Sequence, residues 1–169
     1  IISAYRGCGK SWITSAYVLW RLLLDPQINI LVVSASKSRA DDFSTFCLRL
    51  LQEMPILEHL YPRDTQRQSK ISFDVAPALA SHQPSVKSLG ITSQLTGSRA
   101  DIVICDDVES MQNSQTQLMR DRLGEAIKEF EAIIKPNDNS RIIFLGTPQT
   151  EQSIYNKLQT RGYKVRYWT

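Results

Sequence analysis

Short, continuous runs of apolar residues recur along the chain and are separated by longer segments of mixed character. The runs cover residues 1–2, 28–33, 102–105 and 142–145. Apart from Asn29, these runs are continuous rather than apolar at every second position, which is typical of strands covered on both faces in a parallel sheet. The pattern therefore predicts a parallel sheet that is buried between other elements.

The segments between these runs carry apolar residues spaced by three and four, which is the spacing of amphipathic helices. The predicted helices cover residues 11–24, about 40–54, about 112–134 and 151–160. A proline or glycine follows each of them closely, as expected at helix ends. Because strands and helices alternate, the sequence predicts an α/β fold with a mainly parallel central sheet and helices on both faces.

Two regions depart from this simple alternation. Residues 63–97 are polar, with short β-like pieces at 71–75 and 86–91, and they predict a small antiparallel hairpin inserted beside the main sheet. The last residues, 163–169, predict one more strand. Since both ends of the chain read as interrupted strands, we expect residues 1–169 to be a single domain taken from a longer protein.

Composition narrows the class of protein without naming a partner. Lysine and arginine number 20 and aspartate and glutamate 17, so the formal net charge is +3, which permits an anionic partner without requiring one. Cys8, Cys47 and Cys105 are isolated, with no Cys/His cluster, which predicts a reduced, intracellular protein without structural zinc. No apolar run approaches the roughly 18 to 20 residues of a membrane span, so we expect no membrane partner.

A glycine-rich loop lies between the first predicted strand and the first predicted helix. Its residues are Ala4, Tyr5, Arg6, Gly7, Cys8, Gly9, Lys10 and Ser11. This is the context of a Walker A motif, in which backbone N–H groups and the helix N-terminus bind phosphate. Lys10 can reach the β and γ phosphates, and the Ser11 hydroxyl can ligate magnesium. The loop therefore predicts a nucleotide-binding site.

Two features of this loop leave alternatives open. Ala4 stands where the motif has its first glycine, so a glycine-rich turn with a chance lysine is the competing interpretation. Arg6 lies inside the loop, where an arginine can stabilise the charge that develops in phosphoryl transfer. The Arg6 side chain can equally be solvated. We therefore treat Arg6 as both a binding and a catalytic candidate.

A buried strand ending in carboxylates has the form of a Walker B motif. The apolar run at 102–105 leads directly into Asp106 and Asp107, and Glu109 follows two residues later. A strand of this kind places Asp106 at the carboxyl edge of the sheet, where it can hold magnesium. Asp107 or Glu109 can then activate the attacking water, and the residue pattern does not decide between them. A solvated acidic turn is the alternative.

Polar residues at other loop positions are candidates for sensing the nucleotide. Gly146, Thr147 and Gln149 follow the apolar run at 142–145, where strand tips face the crevice in such sheets. Arg99 precedes the acidic strand and offers another cation. For each of these residues a plain turn is the competing interpretation. The stretch 34–37 is either a nucleic-acid contact or the N-cap of a helix.

Four segments, in this order, resemble the large subunit of bacteriophage terminases, in the branch found in short-tailed phages. They are AYRGCGKSW, VVSASKSRADDF, GITSQLTGSRADIVICDDVES and IIFLGTPQTEQSIYNKL. The resemblance implies an ATPase domain with a P-loop NTPase fold of the helicase-like type, which has an additional strand and a catalytic acid. In that fold another strand separates the acidic strand from the phosphate-loop strand.

The resemblance also implies roles for individual residues. Lys10 and Ser11 would bind Mg-ATP, Asp106 would hold the Mg²⁺, and an adjoining acid would activate water. Arg6 matches the arginine of the family's phosphate loop, and Thr147 falls in its coupling motif. These roles predict that the chain hydrolyses ATP.

The resemblance finally implies partners and a place of action. The partners would be double-stranded DNA, the portal protein of the procapsid, the small terminase subunit and further copies of the chain in a ring, all in the host cytoplasm. A downstream nuclease domain and an upstream adenine-binding segment would belong to the longer protein. Two alternatives stay open: another helicase-like, nucleic-acid-dependent ATPase, or a nucleotide-binding scaffold in which Ala4 and Asp107 mark lost catalysis.

Overall fold

A computed structural model describes residues 1–5, 7–148 and 152–168 of the chain. The strands are β1 (Ile2–Ala4), β2 (Ile30–Ser34), β3 (Ser72–Phe73), β4 (Val86–Gly90), β5 (Ile102–Asp106), β6 (Arg141–Gly146) and β7 (Arg166–Trp168). The α-helices are α1 (Lys10–Leu24), α2 (Lys37–Glu53), α3 (Met111–Ser114), α4 (Gln117–Ile133) and α5 (Ile154–Thr160), and a 3₁₀ helix covers Pro55–Leu60.

Within the described residues, seven strands form one sheet in the order β3-β4-β2-β5-β6-β1-β7. All neighbouring strands are parallel except β3, which is antiparallel to β4. The predicted α/β fold with a mainly parallel sheet is confirmed. Strand β6 lies between β5 and β1, so the acidic strand is separated from the phosphate-loop strand as the family resemblance implies.

Helices cover both faces of this sheet. On one face, α1 and α2 bury Val18, Leu22, Phe43 and Leu51 against the side chains of Ile30, Val32 and Ile104. On the other face, α4 and α5 bury Ile127, Phe130 and Leu158 against Leu31, Val33 and Phe144. Successive residues of β2 therefore pack into opposite cores, which explains why residues 30–33 are all apolar.

The predicted hairpin at residues 63–97 is wrong in its placement. Strand β4 is an interior strand that pairs in parallel with β2, and only the two-residue β3 is antiparallel, at the edge. The segment looks polar because Ser88 points into the interior, where its hydroxyl forms a hydrogen bond with the buried Ser44 of α2. Two hydroxyls that satisfy each other can be buried at little cost.

The predicted helix at residues 112–134 consists of two helices. The chain breaks between α3 and α4 because Thr116 adopts an extended conformation and its Oγ1 accepts a hydrogen bond from the Met119 N–H at 3.3 Å. Threonine at an N-cap offers the backbone this alternative to a continuous helix. The last helix, predicted over residues 151–160, begins at Ile154 with Ser153 as its N-cap, and residue 151 lies outside the described residues.

Across the described ranges, no helix is both long enough and apolar enough to cross a membrane.

A polar cluster closes the amino-terminal edge of the sheet. Lys135 Nζ donates hydrogen bonds to Asp101 Oδ2 at 2.8 Å and to Asn29 Oδ1 at 2.6 Å. Asn137 Nδ2 and the Asn29 N–H also donate to the Asp101 carboxylate, at 3.0 and 2.8 Å. Burial alone would raise the pKa of Asp101, but these hydrogen bonds outweigh it and hold the pKa below its ordinary value.

Asp101→Asn is expected to lower the free energy of unfolding at pH 7 by about 1–2 kcal/mol, because it weakens hydrogen bonds to a charged group. The folded-state pKa of Asp101 is depressed, so its stabilisation is present above the unfolded pKa of about 3.9 and is lost as pH falls through the lower folded value. Urea denaturation should therefore show the two proteins converging below about pH 4. Asp138→Asn, at an exposed neighbour, is the control; an equal effect there would contradict the prediction.

Candidate nucleotide-binding site

A cavity of about 740 Å³ opens at the carboxyl edge of the sheet, beside the start of α1. Gly7, Gly9, Lys10 and Ser11 of the phosphate loop line it together with Asp106 and Asp107. The two predicted motifs, which are distant in sequence, are therefore adjacent in space. This follows from the topology, because the carboxyl ends of parallel strands share one edge of a sheet.

The backbone of the phosphate loop takes a form that suits glycine. Gly7 and Gly9 have φ of +87° and +80°, in the left-handed region that side chains with a Cβ rarely adopt. Gly9 is the N-cap of α1 and offers no side chain to its first N–H groups. These groups, and the positive end of the helix dipole, are therefore available to an anion. Ala4 is an ordinary strand residue, so alanine causes no strain at that position.

The Lys10 side chain is buried and joins the phosphate loop to the tip of β6. Its Nζ donates to the carbonyl oxygens of Ala4 and Tyr5, both at 3.1 Å, and to Thr147 Oγ1 at 3.3 Å. Thr147 Oγ1 in turn donates to the Ala4 carbonyl at 2.6 Å. The lysine of the first motif and the threonine of the third segment are 137 residues apart in sequence and in direct contact.

Asp106 ends β5 with its carboxylate largely withdrawn from water. Burial and the adjacent charge of Asp107 raise the pKa of Asp106 to about 6, while Lys10, Arg39 and the Ser11 side chain act in the opposite direction. One oxygen, Oδ1, is buried without a hydrogen-bond partner. A serine hydroxyl beside a carboxylate with an unpaired oxygen is the hard-oxygen donor set that Mg²⁺ prefers, so the residues fit this ion.

Asp107 has a backbone conformation that is rare for its residue type. Among the described residues it is the one non-glycine with positive φ, at +46°. Its N–H donates to the Leu145 carbonyl at 2.8 Å, which fixes this turn against β6. Aspartate tolerates the left-handed region better than most residues, and such strain is often found at functional sites. The turn leaves the Asp107 side chain lining the cavity.

Glu109 takes a different position from Asp107. It is buried, it does not line the cavity, and its Oε2 accepts hydrogen bonds from the Ser153 hydroxyl and, at 3.1 Å, from the Ile154 N–H. These donors belong to the N-cap and first residue of α5. The carboxylate therefore holds the acidic loop to the N-terminus of α5, where negative charge is favourable.

Gly146 ends β6 beneath the buried ring of Tyr155. A Cβ at this position would lie 2.1 Å from both Cζ and the hydroxyl oxygen of Tyr155. The Tyr155 hydroxyl donates to the Leu145 carbonyl at 3.5 Å. The close approach of ring to backbone explains why a glycine precedes Thr147.

The remaining predicted site residues are not all brought to the cavity. Arg99 lies before the amino end of β5, at the opposite edge of the sheet from Asp106, and donates to the Ala132 carbonyl at 3.1 Å. It therefore does not reach the cavity of its own chain. Tyr5 is exposed and Cys8 is partly exposed. Arg6 and Gln149 lie outside the described residues.

Sequence reasoning missed the contribution of α2 to this cavity. Arg39 lines the cavity, as do Phe46 and, from α1, Trp12, whose ring centroid lies 4.6 Å from that of Phe46. Ser36 is the N-cap of α2 and accepts a hydrogen bond from the Arg39 N–H at 3.4 Å. The sequence does show an arginine in the first helical turn after β2. Its place at the cavity could be inferred only from the pairing of β2 with β5, which the sequence does not show.

Comparison with known proteins gives both sequence and structural relatives. No protein-family model matches the chain. The chain is 54% identical over 169 residues to the terminase large subunit of Enterobacteria phage T3, covering 99% of this chain and 29% of that protein. It thus spans less than a third of the relative's length.

Solved structures of low sequence identity share the fold. The N-terminal domain of the DNA packaging ATPase from bacteriophage phi29 matches with a TM-score of 0.61 at 13% identity, covering 97% of this chain and 81% of that one. The large terminase ATPase domain of Thermus phage P74-26 matches with a TM-score of 0.50 at 13% identity, covering 88% and 59%. Across almost its whole length, the chain is therefore similar in sequence to a terminase large subunit, the kind of protein that its motifs resemble.

Proposed function

We propose that this chain is the ATP-hydrolysing part of a viral motor that moves double-stranded DNA into a procapsid. The observation that carries the proposal is the cavity lined jointly by Lys10, Ser11 and Asp106, in which a glycine-rich loop at a helix N-terminus lies beside a largely buried carboxylate. The relatives' descriptions as a terminase large subunit and a DNA packaging ATPase support it.

We assign residues 4–11 to the phosphates of ATP. The uncapped N-terminus of α1 offers N–H donors and a positive dipole end. Lys10 would exchange its hydrogen bonds to the Ala4 and Tyr5 carbonyls for bonds to the β and γ phosphates, which are stronger because both partners are charged. Ser11 and Asp106 would hold Mg²⁺, which neutralises charge on the phosphate oxygens when bound.

Asp107 is the residue to which we assign the general base. It would accept a proton from the water whose oxygen attacks the γ phosphorus, while the bond to the β–γ bridging oxygen breaks and gives ADP and phosphate. Its place in the cavity supports this role, whereas Glu109 is not among the cavity-lining residues and its Oε2 accepts from Ser153 and Ile154. Arg6 is assigned the stabilisation of the developing negative charge.

Thr147 is the residue to which we assign coupling between the nucleotide and the rest of the chain. It contacts both Lys10 and Ala4, so a nucleotide that draws Lys10 away would change its hydrogen bonds. Gly146 and Gln149 flank it in the same segment, and Tyr155 of α5 packs on Gly146. Changes at the phosphates would thereby reach α5, as in other nucleotide switches.

The partners and place of action form the outer part of the proposal. We propose that the chain acts on double-stranded DNA as a homo-oligomeric ring on the portal protein, together with the small terminase subunit, in the host cytoplasm. The longer protein would also cut concatemeric DNA with a separate nuclease domain. These assignments rest on the relationship to the T3 terminase large subunit.

Lys10→Ala is expected to weaken ATP binding by about 10- to 100-fold, because a charge-assisted hydrogen bond contributes about 1.5–3 kcal/mol. The test follows Mg²⁺-dependent release of phosphate by the purified protein as a function of ATP concentration, with and without double-stranded DNA; the variant should need about 10- to 100-fold more ATP for half-maximal release. Lys128→Ala, at an exposed lysine on α4 that pairs with the exposed Glu125, is the matched control. A wild-type protein without turnover under all these conditions would overturn the proposal.

A further inference from the structure

Arg39 is a second cationic residue at the cavity, and it lies outside the phosphate loop. It is the third residue of α2, and its position is fixed by the Ser36 N-cap. It lines the same cavity as Lys10, Ser11 and Asp106. Arginine is suited to this place because its planar guanidinium can bind two phosphate oxygens at once.

The strand order places Arg39 across Asp106 from the phosphate loop. Ser34, the last residue of β2, pairs in register with Asp106, and α2 begins only three residues after Ser34. The phosphate loop follows β1, which lies on the other side of β5 beyond β6. A triphosphate that extends from the loop towards Asp106 therefore presents its terminal phosphate to the α2 side.

The Arg39 side chain is available for such a contact. It is exposed, and no carboxylate of the described residues lies within ion-pair distance of its guanidinium, although Asp42 lines the cavity one turn later. Arg39 and Asp106 thus line one cavity, and within the described part of the chain the guanidinium forms no ion pair.

We propose that Arg39 binds the γ phosphate of ATP from the side opposite Lys10, so that it distinguishes ATP from ADP within one chain. This inference rests on the proposed nucleotide site and adds a contact to it. Lys10 would bind both ATP and ADP through the β phosphate, whereas Arg39 would bind only ATP, which carries a γ phosphate. ADP would leave Arg39 without its ligand.

The test compares affinities for Mg-ADP and for a non-hydrolysable ATP analogue by titration calorimetry. Arg39→Ala is expected to weaken binding of the ATP analogue by about 10- to 100-fold, because one charge-assisted contact is lost, and to leave the affinity for ADP unchanged. Arg39→Lys should recover part of the affinity for the analogue. Lys10→Ala should weaken the binding of both ligands. Arg49→Ala, on the same helix and paired at the surface with Glu53, should change neither.

The outcomes separate this inference from the function on which it rests. Nucleotide binding by the wild type, with an Arg39→Ala variant whose ratio of ATP-analogue to ADP affinity is unchanged, would overturn the role of Arg39 alone. If Arg39→Ala weakened only DNA binding, the ratio of nucleotide affinities would be unchanged, and the role of Arg39 at the γ phosphate would be overturned in the same way. A wild-type protein that binds neither nucleotide would overturn both proposals.

Discussion

Replacing Asp107 by asparagine is expected to lower kcat for ATP hydrolysis by about 10²- to 10⁴-fold, the usual contribution of a general base. Asparagine keeps the shape of the side chain and, like aspartate, tolerates a positive φ, so the strained turn should survive. Binding of Mg-ATP should change by less than about threefold, because the base acts on the attacking water and not on the phosphates. Phosphate release and nucleotide titration measure the two quantities.

Glu109→Gln is the matched comparison, and it separates the two acids that the residue pattern left open. Glutamine retains an oxygen that can accept from Ser153 and Ile154, so kcat should stay within about fivefold of wild type. Its amide N–H groups would be buried without partners, which should lower the free energy of unfolding by about 1–3 kcal/mol. Loss of kcat in Glu109→Gln, with activity retained in Asp107→Asn, would reverse the assignment.

The strands that could be predicted are those buried on both faces, because only there does every position have to be apolar. Residues 30–33 of β2 and 102–105 of β5 meet this condition, and their segments were located correctly, as was that of the partly exposed β6. Strand β4 was assigned to a separate hairpin because it contains the polar Ser88. The Ser88 hydroxyl can be buried because it forms a hydrogen bond with Ser44, a residue of another element. A hydroxyl pair of this kind is invisible in a single segment, since polarity is judged there one residue at a time.

The site was predictable as far as topology alone brings residues together. Lys10 and Asp106 follow different strands, yet their meeting needed only the rule that carboxyl ends share an edge. Arg39 could not be found in this way, because its relevance depends on the pairing of Ser34 with Asp106. Asp107 and Glu109 could not be separated either, since the positive φ of one and the α5 contacts of the other are tertiary features.

Gly146→Ala is expected to cause the largest loss of stability, about 2–4 kcal/mol in the free energy of unfolding. The new Cβ would lie 2.1 Å from the ring of Tyr155, which is buried and has little room to move. Urea denaturation measures the loss. Gly124→Ala, in α4 where a Cβ meets nothing within 4 Å, is the matched control and should instead stabilise the protein by up to about 1 kcal/mol.

A second variant shows whether the clash with Tyr155 is the cause. Tyr155→Leu removes the ring end that the new Cβ would meet, so the loss from Gly146→Ala should be smaller in the Tyr155→Leu background than in wild type, by about 1–3 kcal/mol of coupling. Strictly additive losses would mean that the glycine is required for some other reason. Because Gly146 adjoins Thr147, which contacts Lys10, a coupled pair would also mean that the packing of α5 fixes the segment to which we assign nucleotide sensing.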